Sequence, residues 1–209
     1  MVGGSQYNLS ILILSLVSRT KFLTSLLAEL DSQIKKAGRQ DVQILVLTDN
    51  KSQTVGEKRN HLLNLAEGRY LTYLDDDDRV SSDYISEIME KLTTSLVDCV
   101  VFDCIAVLNA HKATGGRQFY CKYGIEFEPT KLEPWSERNC FKRENTELWF
   151  GKPAHTMVWR SELVKHIQFK HINAGEDFAW INLAWPLIKK QVRIDKVLYY
   201  YDVVLGKDY

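Results

Sequence analysis

Four aspartates in a row, Asp75-Asp76-Asp77-Asp78, follow a run of apolar and β-prone residues, and their mutual repulsion at neutral pH calls for a cation or for protonation. In an extended or turning backbone alternate side chains face the same way, so Asp75 and Asp77 can point together at one ion. Carboxylate oxygens suit Mg2+ or Mn2+, which keep several waters and are completed by substrate phosphates. A bare Asp-x-Asp is more often a solvated acidic turn ahead of a helix, here one capped by Ser81; what favours chemistry is its position after a parallel strand. A second polar cluster, Thr48-Asp49-Asn50, ends an earlier apolar run, and a third, Gly175-Glu176-Asp177-Phe178, opens the last apolar segment. His155, after Pro153, is placed to touch a diphosphate or a metal, and Lys152 could steady a phosphate. Trp135, Trp149, Trp159 and Trp180, with Tyr120 and Tyr123, offer flat faces on which a ring-shaped ligand could stack, and Trp149 beside Gly151-Lys152 is the preferred candidate.

The elements that must position these residues can be read from periodicity. Leu9 to Val17 reads as a strand covered on both faces. Phe22, Leu23, Leu26, Leu27, Leu30 and Ile34 recur at helical spacing, and Gly38 sits at a left-handed C-terminal cap. Val42 to Leu47 reads as a second buried strand, Val55 to Glu67 as a helix closed by Gly68, and Tyr70 to Leu74 as a third strand. Strand, helix, strand, helix, strand predicts an α/β fold with a mostly parallel central sheet and right-handed crossovers. Ligands bind beyond the carboxyl ends of such strands, so Asp49 and the aspartate run belong on one sheet edge.

Further along, Ser81 or Ser82 can cap a helix carrying Tyr84, Ile85, Ile88, Met89 and Leu92, and Cys99 to Leu108 is a long strand. Asn109 to Glu147 reads as polar surface excursions. Ala154 to Arg160 resumes a short strand, Ser161 can cap a helix through Leu163 and Val164, and Phe178 to Ile188 is a helix interrupted by Pro186.

VLTDNKSQTVGEKRN (Val46 to Asn60), YLTYLDDDD (Tyr70 to Asp78) and Gly175-Glu176-Asp177-Phe178 come in one order along the chain and together resemble the inverting family-2 glycosyltransferases of GT-A fold. The resemblance implies a metal-dependent enzyme moving a sugar from a UDP-sugar, UDP-glucose-like donor to an acceptor hydroxyl of a glycan. It implies helices on both faces of the sheet, a nucleotide-binding half over residues 1–108 and an acceptor-binding half over 109–209. Asp49 would accept the uracil imide N–H, Arg59 would support base or phosphates, Asp75 and Asp76 would hold ribose and assist the metal, Asp77 would ligate it, and Asp177, with Glu176 beside it, would be the base. The sequence departs from the family in having Thr48 where a second acidic residue is common. It also lacks the Gln-x-x-Arg-Trp motif of processive synthases, which favours single addition.

Composition narrows the alternatives. Lys plus Arg equals Asp plus Glu at 27 each, so no nucleic acid or anionic surface is called for as a partner. Cys99, Cys104, Cys121 and Cys140 form no Cys-x-x-Cys pair, which points to a reducing, cytoplasmic setting. No apolar run approaches the about 20 residues of a membrane span. The aromatic pattern at Val197 to Val204 is compatible with a domain of a longer polypeptide. Two other functions remain open: a haloacid-dehalogenase-type phosphatase, because Asp76-x-Asp78-x-Val80 matches its nucleophile loop, and a binding module that keeps nucleotide sugar without catalysis.

Overall fold

The computed structural model describes residues 6–108, 117–127, 141–143 and 146–203; Trp135, Cys140 and Val204 lie outside them. Three strands start the fold: β1 (Tyr7–Leu16), β2 (Val42–Asp49) and β3 (Gly68–Asp75). They are joined by α1 (Thr20–Lys36) and α2 (Val55–Leu65) and pair in parallel in the spatial order β2-β1-β3. Because α1 leads to one side of β1 and α2 crosses back to the other, right-handed crossovers put the two helices on opposite faces. The register sets Asp49 beside Leu16 and Asp75 beside Leu14, so the two acidic clusters share the sheet edge that the sequence assigns to them.

β1 is buried along most of its length. β2 is not the buried strand expected from its apolar run: it lies at the sheet edge, half covered, with Val46 exposed. Gly38 takes the left-handed conformation (φ 60°) after α1, as its position predicts. Gly68 does not cap α2 but opens β3, where an added Cβ would stand 2.4 Å from the Ser10 backbone nitrogen.

The sheet continues through β4 (Arg79–Val80), β5 (Cys99–Leu108), β6 (Arg117–Tyr123), β7 (Phe141–Arg143), β8 (Thr146–Gly151), β9 (Val158–Arg160) and β10 (Gln191–Val203). This second half is mixed: β9 runs antiparallel between β3 and β5, while β10 is parallel to β5. The 109–147 region was expected to be surface excursion, yet β6 joins the sheet against β5 with Phe119 and Cys121 buried. Alternation of Phe119, Cys121 and Tyr123 was the signal for it.

Three short helices complete the fold: α3 (Tyr84–Thr94), α4 (Ser161–Val164) and α5 (Glu176–Ala184). Asp83, not Ser81 or Ser82, occupies the N-cap of α3, and Ser81 instead donates to the Asp83 carboxylate at 2.7 Å. Ser161 is likewise no cap; its hydroxyl donates to Gly68 O at 2.6 Å and ties α4 to β3. α5 gives way at Pro186 to a 3-10 turn. The core beneath α2 and α5 is aromatic: Phe169 and Trp180 stack with centroids 5.0 Å apart, and Trp159 meets Trp180 edge-on at 5.2 Å. Trp159 and Trp180 are therefore core residues rather than sugar platforms, and their indole N–H groups donate to Ala154 O and Ile167 O.

Candidate active site

A cleft of about 560 Å3 opens at the carboxyl ends of β1 and β3. Its walls bring together Arg19, Arg59, Asp75, Asp76, Asp77, Lys152, His155, Glu176, Asp177 and Trp149, which come from every quarter of the chain. Most of the sequence-predicted site residues thus converge. Asp49 stands just behind the wall, and its neighbour Lys58 reaches the cleft instead.

Three successive residues of α2 hold the site together, each through a different element. Lys58 Nζ donates to Asp49 Oδ1 at 2.8 Å and to Ser15 O at 3.1 Å, clamping the ends of β1 and β2. Arg59 Nη2 donates to Asp75 Oδ1 at 3.1 Å and its Nε to Glu176 Oε1 at 3.2 Å. Asn60 exchanges two bonds with the backbone of Phe169, at 2.9 and 2.7 Å. All three side chains are buried, because successive helical positions fan out by about 100° and α2 is covered on most sides. Arg59 also lies 5.4 Å from the Tyr73 ring centroid and 5.8 Å from that of Phe169, so its charge sits against two π-faces.

Close approach makes this arrangement possible. An added Cβ at Gly56 would stand 1.8 Å from Lys170 O, so only glycine lets α2 lie against the 170–172 segment. Gly175 has φ 78°, and this left-handed residue turns the chain into α5 so that Glu176 points inward and Asp177 to the cleft.

The aspartate run is not the solvated turn that composition alone would allow. Asp76 is only 2% exposed; its oxygens accept from Ser15 Oγ at 2.6 Å and Arg19 Nη1 at 3.0 Å. Burial pushes the Asp76 carboxyl up despite these partners. Asp78 accepts from the buried Tyr199 hydroxyl, which also lies 3.4 Å from the Asp75 backbone N–H that donates to it. Irregularities in β10 on both sides of Val197 bring Tyr199 to this point. Asp76 and Asp78 are thus engaged by the fold although they also border the cleft, an arrangement that counts against Asp76 as the nucleophile of the phosphatase alternative.

Asp75 and Asp77 face the cleft. Burial would raise the Asp75 carboxyl, but the Arg59 charge holds it below the usual range. Asp77 lies 3.5 Å from Arg19. His155 is neutral: burial first, then the Arg59 charge, pull its pKa down to about 4. Neither of its ring nitrogens has a hydrogen-bond partner, and Nδ1 lies 3.6 Å from Asp177 Oδ2, beyond bonding reach. Asp177 is more open, its side chain 38% exposed, and Glu176 beneath it is buried, with its carboxyl raised by that burial.

Among the described residues no three His, Cys, Asp or Glu side chains form a ready-made metal cage. A hard divalent cation needs less from the protein, since one or two carboxylates suffice when waters and phosphates complete the shell. The oxygens of Asp75 and Asp77 and the unpartnered His155 nitrogens at the same cleft suit such an ion.

Three further candidates have partners of their own. Lys152 Nζ donates to Ile125 O at 2.7 Å and lies 4.3 Å from the Trp185 ring centroid, so its charge is already engaged at the cleft wall. Trp149 meets Tyr123 edge-on at 5.5 Å and covers Gly151, where a Cβ would be 2.2 Å from its ring. Tyr120 donates to Asp103 at 2.6 Å, away from the cleft. Arg19, Lys58 and Tyr199 were missed by sequence reasoning. Arg19 alone had a usable signal, being a cation just past the end of β1.

The model of glycosyl transferase family 2 matches residues 25–163, well over half of the sequence. The chain belongs to glycosyl transferase family 2. The family match stops short of Glu176-Asp177, so that pair enters the site on geometry and not on the match. Among solved structures the chain is similar to S. aureus TarS 1-349 in complex with UDP-GlcNAc, with TM-score 0.59 and 17% identity over 96% of this chain and 60% of that one. The same protein in complex with UDP gives 0.57 and 16% over 94% and 60%, and a longer form of S. aureus TarS gives 0.57 and 16% over 94% and 37%. The chain therefore spans about 60% of the shorter TarS structures. At such identities the likeness is one of fold, and it agrees with the GT-A arrangement expected of a family-2 glycosyltransferase. No curated protein matches the sequence. Among the described residues no helix is long and apolar enough to cross a membrane.

Proposed function

We propose that this chain is the catalytic domain of a metal-dependent, inverting glycosyltransferase that moves a hexosyl group from a UDP-sugar to a glycan hydroxyl. The observation that carries the reading is convergence: the turn after β3 and Asp177 at the start of α5 meet at one cleft, tied through Arg59 to both Asp75 and Glu176. Family membership supports a nucleotide-sugar donor. The UDP and UDP-GlcNAc complexes of TarS favour uridine, and UDP-glucose is the other donor to be considered.

Asp177 acts as general base. It is open enough to meet an acceptor hydroxyl, and removal of that proton lets the oxygen attack the anomeric carbon as the nucleoside diphosphate leaves from the far side. A single base and direct displacement invert the anomeric centre. Arg59, fixed at the floor of the site, bonds Glu176 and holds Asp75 in place. Mg2+ or Mn2+ on Asp77 and Asp75, with His155 at its side, would neutralise charge gathering on the departing diphosphate. Asp76 assists from behind by holding the turn.

Asp49 keeps acceptor capacity for the uracil imide: an ionised carboxylate offers about four lone-pair sites, and Lys58, Gln53 N–H and Ser52 take three. Trp149 and Tyr123 would flank the acceptor, and Lys152 frames that side of the cleft.

The test is a donor panel. UDP-glucose, UDP-GlcNAc and a phosphate monoester are incubated with the protein and Mn2+, and UDP or phosphate release is followed. Slow metal-dependent release of UDP from one of the sugars is expected. Phosphate release from the monoester, with the UDP-sugars untouched, would instead restore the phosphatase reading.

A further inference from the structure

Arg19 occupies a position that neither the sequence motifs nor the proposed mechanism accounts for. It follows β1 on a 3-10 turn (Val17–Arg19), lines the cleft, and sets Nη1 3.0 Å from Asp76 Oδ1 and 3.5 Å from Asp77 Oδ1. Its two carboxylate neighbours differ in kind. Asp76 is buried and is also bound by Ser15, so its place is fixed. Asp77 is the less deeply buried of the two and faces the cleft. One guanidinium group thus spans an anchored carboxylate and one that faces the cleft.

We infer that Arg19 is the built-in counter-ion of the acidic turn and competes with a divalent cation for Asp77, so that metal and donor diphosphate bind as a coupled pair. This rests on the glycosyltransferase reading given above. A divalent ion reaching Asp77 alone must displace Arg19 from that carboxylate and sit beside its positive charge. When a diphosphate is present, Arg19 keeps its bond to Asp76 and turns from Asp77 toward the phosphate oxygens, a geometry its planar fork serves well. The repulsion becomes an attraction. Metal affinity is therefore low without nucleotide and rises with it, and linkage requires nucleotide affinity to rise equally with metal. Arg19 is in this account a positioning residue for the leaving diphosphate and the source of an ordered donor site.

The experiment reads metal binding directly and needs no turnover. Free Mn2+ is titrated by electron paramagnetic resonance against wild type, Arg19→Gln and Arg19→Lys, each with and without saturating UDP, after far-ultraviolet circular dichroism has established that the variants are folded. Removing one positive charge beside the ion should tighten Mn2+ binding in the absence of UDP by about tenfold in Arg19→Gln. The factor by which UDP improves Mn2+ binding should shrink by a similar amount, and Arg19→Lys should keep most of it. Arg19→Gln with wild-type Mn2+ affinity and wild-type coupling would overturn the role of Arg19 while leaving the enzyme reading intact. If the wild type takes up no Mn2+ even with UDP, the role of Arg19 falls together with the metal-dependent reading it rests on.

Discussion

Arg59 Nε donates to Glu176 Oε1 at 3.2 Å, joining residues 117 positions apart in the chain. The same guanidinium bonds Asp75 at 3.1 Å, so one buried cation fixes both the end of β3 and the start of α5. The two halves of the fold are thereby set relative to each other at the cleft.

Loss of this cation leaves two carboxylates without their partner, which for a buried pair costs about 3–5 kcal/mol. Arg59→Ala should therefore lower the unfolding free energy by roughly that amount in urea titration. Glu176→Gln keeps the shape and leaves Arg59 with Asp75, so its loss should be clearly smaller. Equal losses would mean that the charged Arg59–Glu176 contact carries the whole contribution of Arg59, and that its bond to Asp75 and its packing on Tyr73 and Phe169 add nothing.

Asp177→Asn keeps the volume and removes the proton acceptor. Transfer should fall by about 10²–10⁴-fold, the usual worth of a general base. UDP-sugar affinity measured by calorimetry should stay within about twofold, since Asp177 belongs to the acceptor side. Retained turnover would exclude Asp177 as the base.

Lys58 and Asp49 predict a pH dependence of stability. Burial works against ionisation of Asp49, but the bonds from Lys58, Gln53 and Ser52 outweigh it and hold the pKa at about 2, below the ordinary 3.8. The folded state thus keeps Asp49 ionised where the unfolded chain has bound a proton. That stability is full above pH 4 and is lost as pH falls toward 2, amounting to about 2 kcal/mol. Asp49→Asn should flatten this part of the profile and, by leaving Lys58 buried without its counter-ion, should be destabilised near neutral pH. An unchanged acid limb in the variant would show that other carboxylates govern it.

Glycines at two points should respond unequally to alanine. Gly56→Ala drives a methyl against Lys170 O, a backbone atom that cannot swing aside, and α2 must lift from the segment it holds. Gly175→Ala meets open space and costs only the left-handed backbone, about 1–2 kcal/mol. Thermal unfolding should rank Gly56→Ala as the more damaging. Donor binding should survive Gly175→Ala, while transfer, which depends on the set of Asp177, should not.

The parallel half of the fold was legible because β1 and β3 are nearly continuous apolar runs, α1 carries a helical stripe, and β2 and β3 end in Asp49 and Asp75, which share an edge. The second half was not. Phe119, Cys121 and Tyr123 alternate over too few residues to stand out against the polar stretch around them, and β6 is covered by pairing with β5 on one side and β8 on the other, which no local pattern shows. At the site, residue types told which groups could do chemistry but not which were already engaged. Asp76 looks like Asp77 in sequence, yet Ser15 and Arg19 bind it into the fold, and only the register of β1 against β3 brings them near. Trp159 and Trp180 looked like sugar platforms for the same reason: an aromatic residue does not announce whether a neighbour covers it.

Calorimetric titration of UDP-GlcNAc and UDP-glucose into wild type and Asp77→Ala, with millimolar Mn2+ and with chelator, tests the central claim most directly. Saturable binding of at least one donor by the wild type, lost with chelator and weakened at least tenfold in Asp77→Ala, is the predicted result. Equal donor binding with and without metal, or none in either condition, would contradict it.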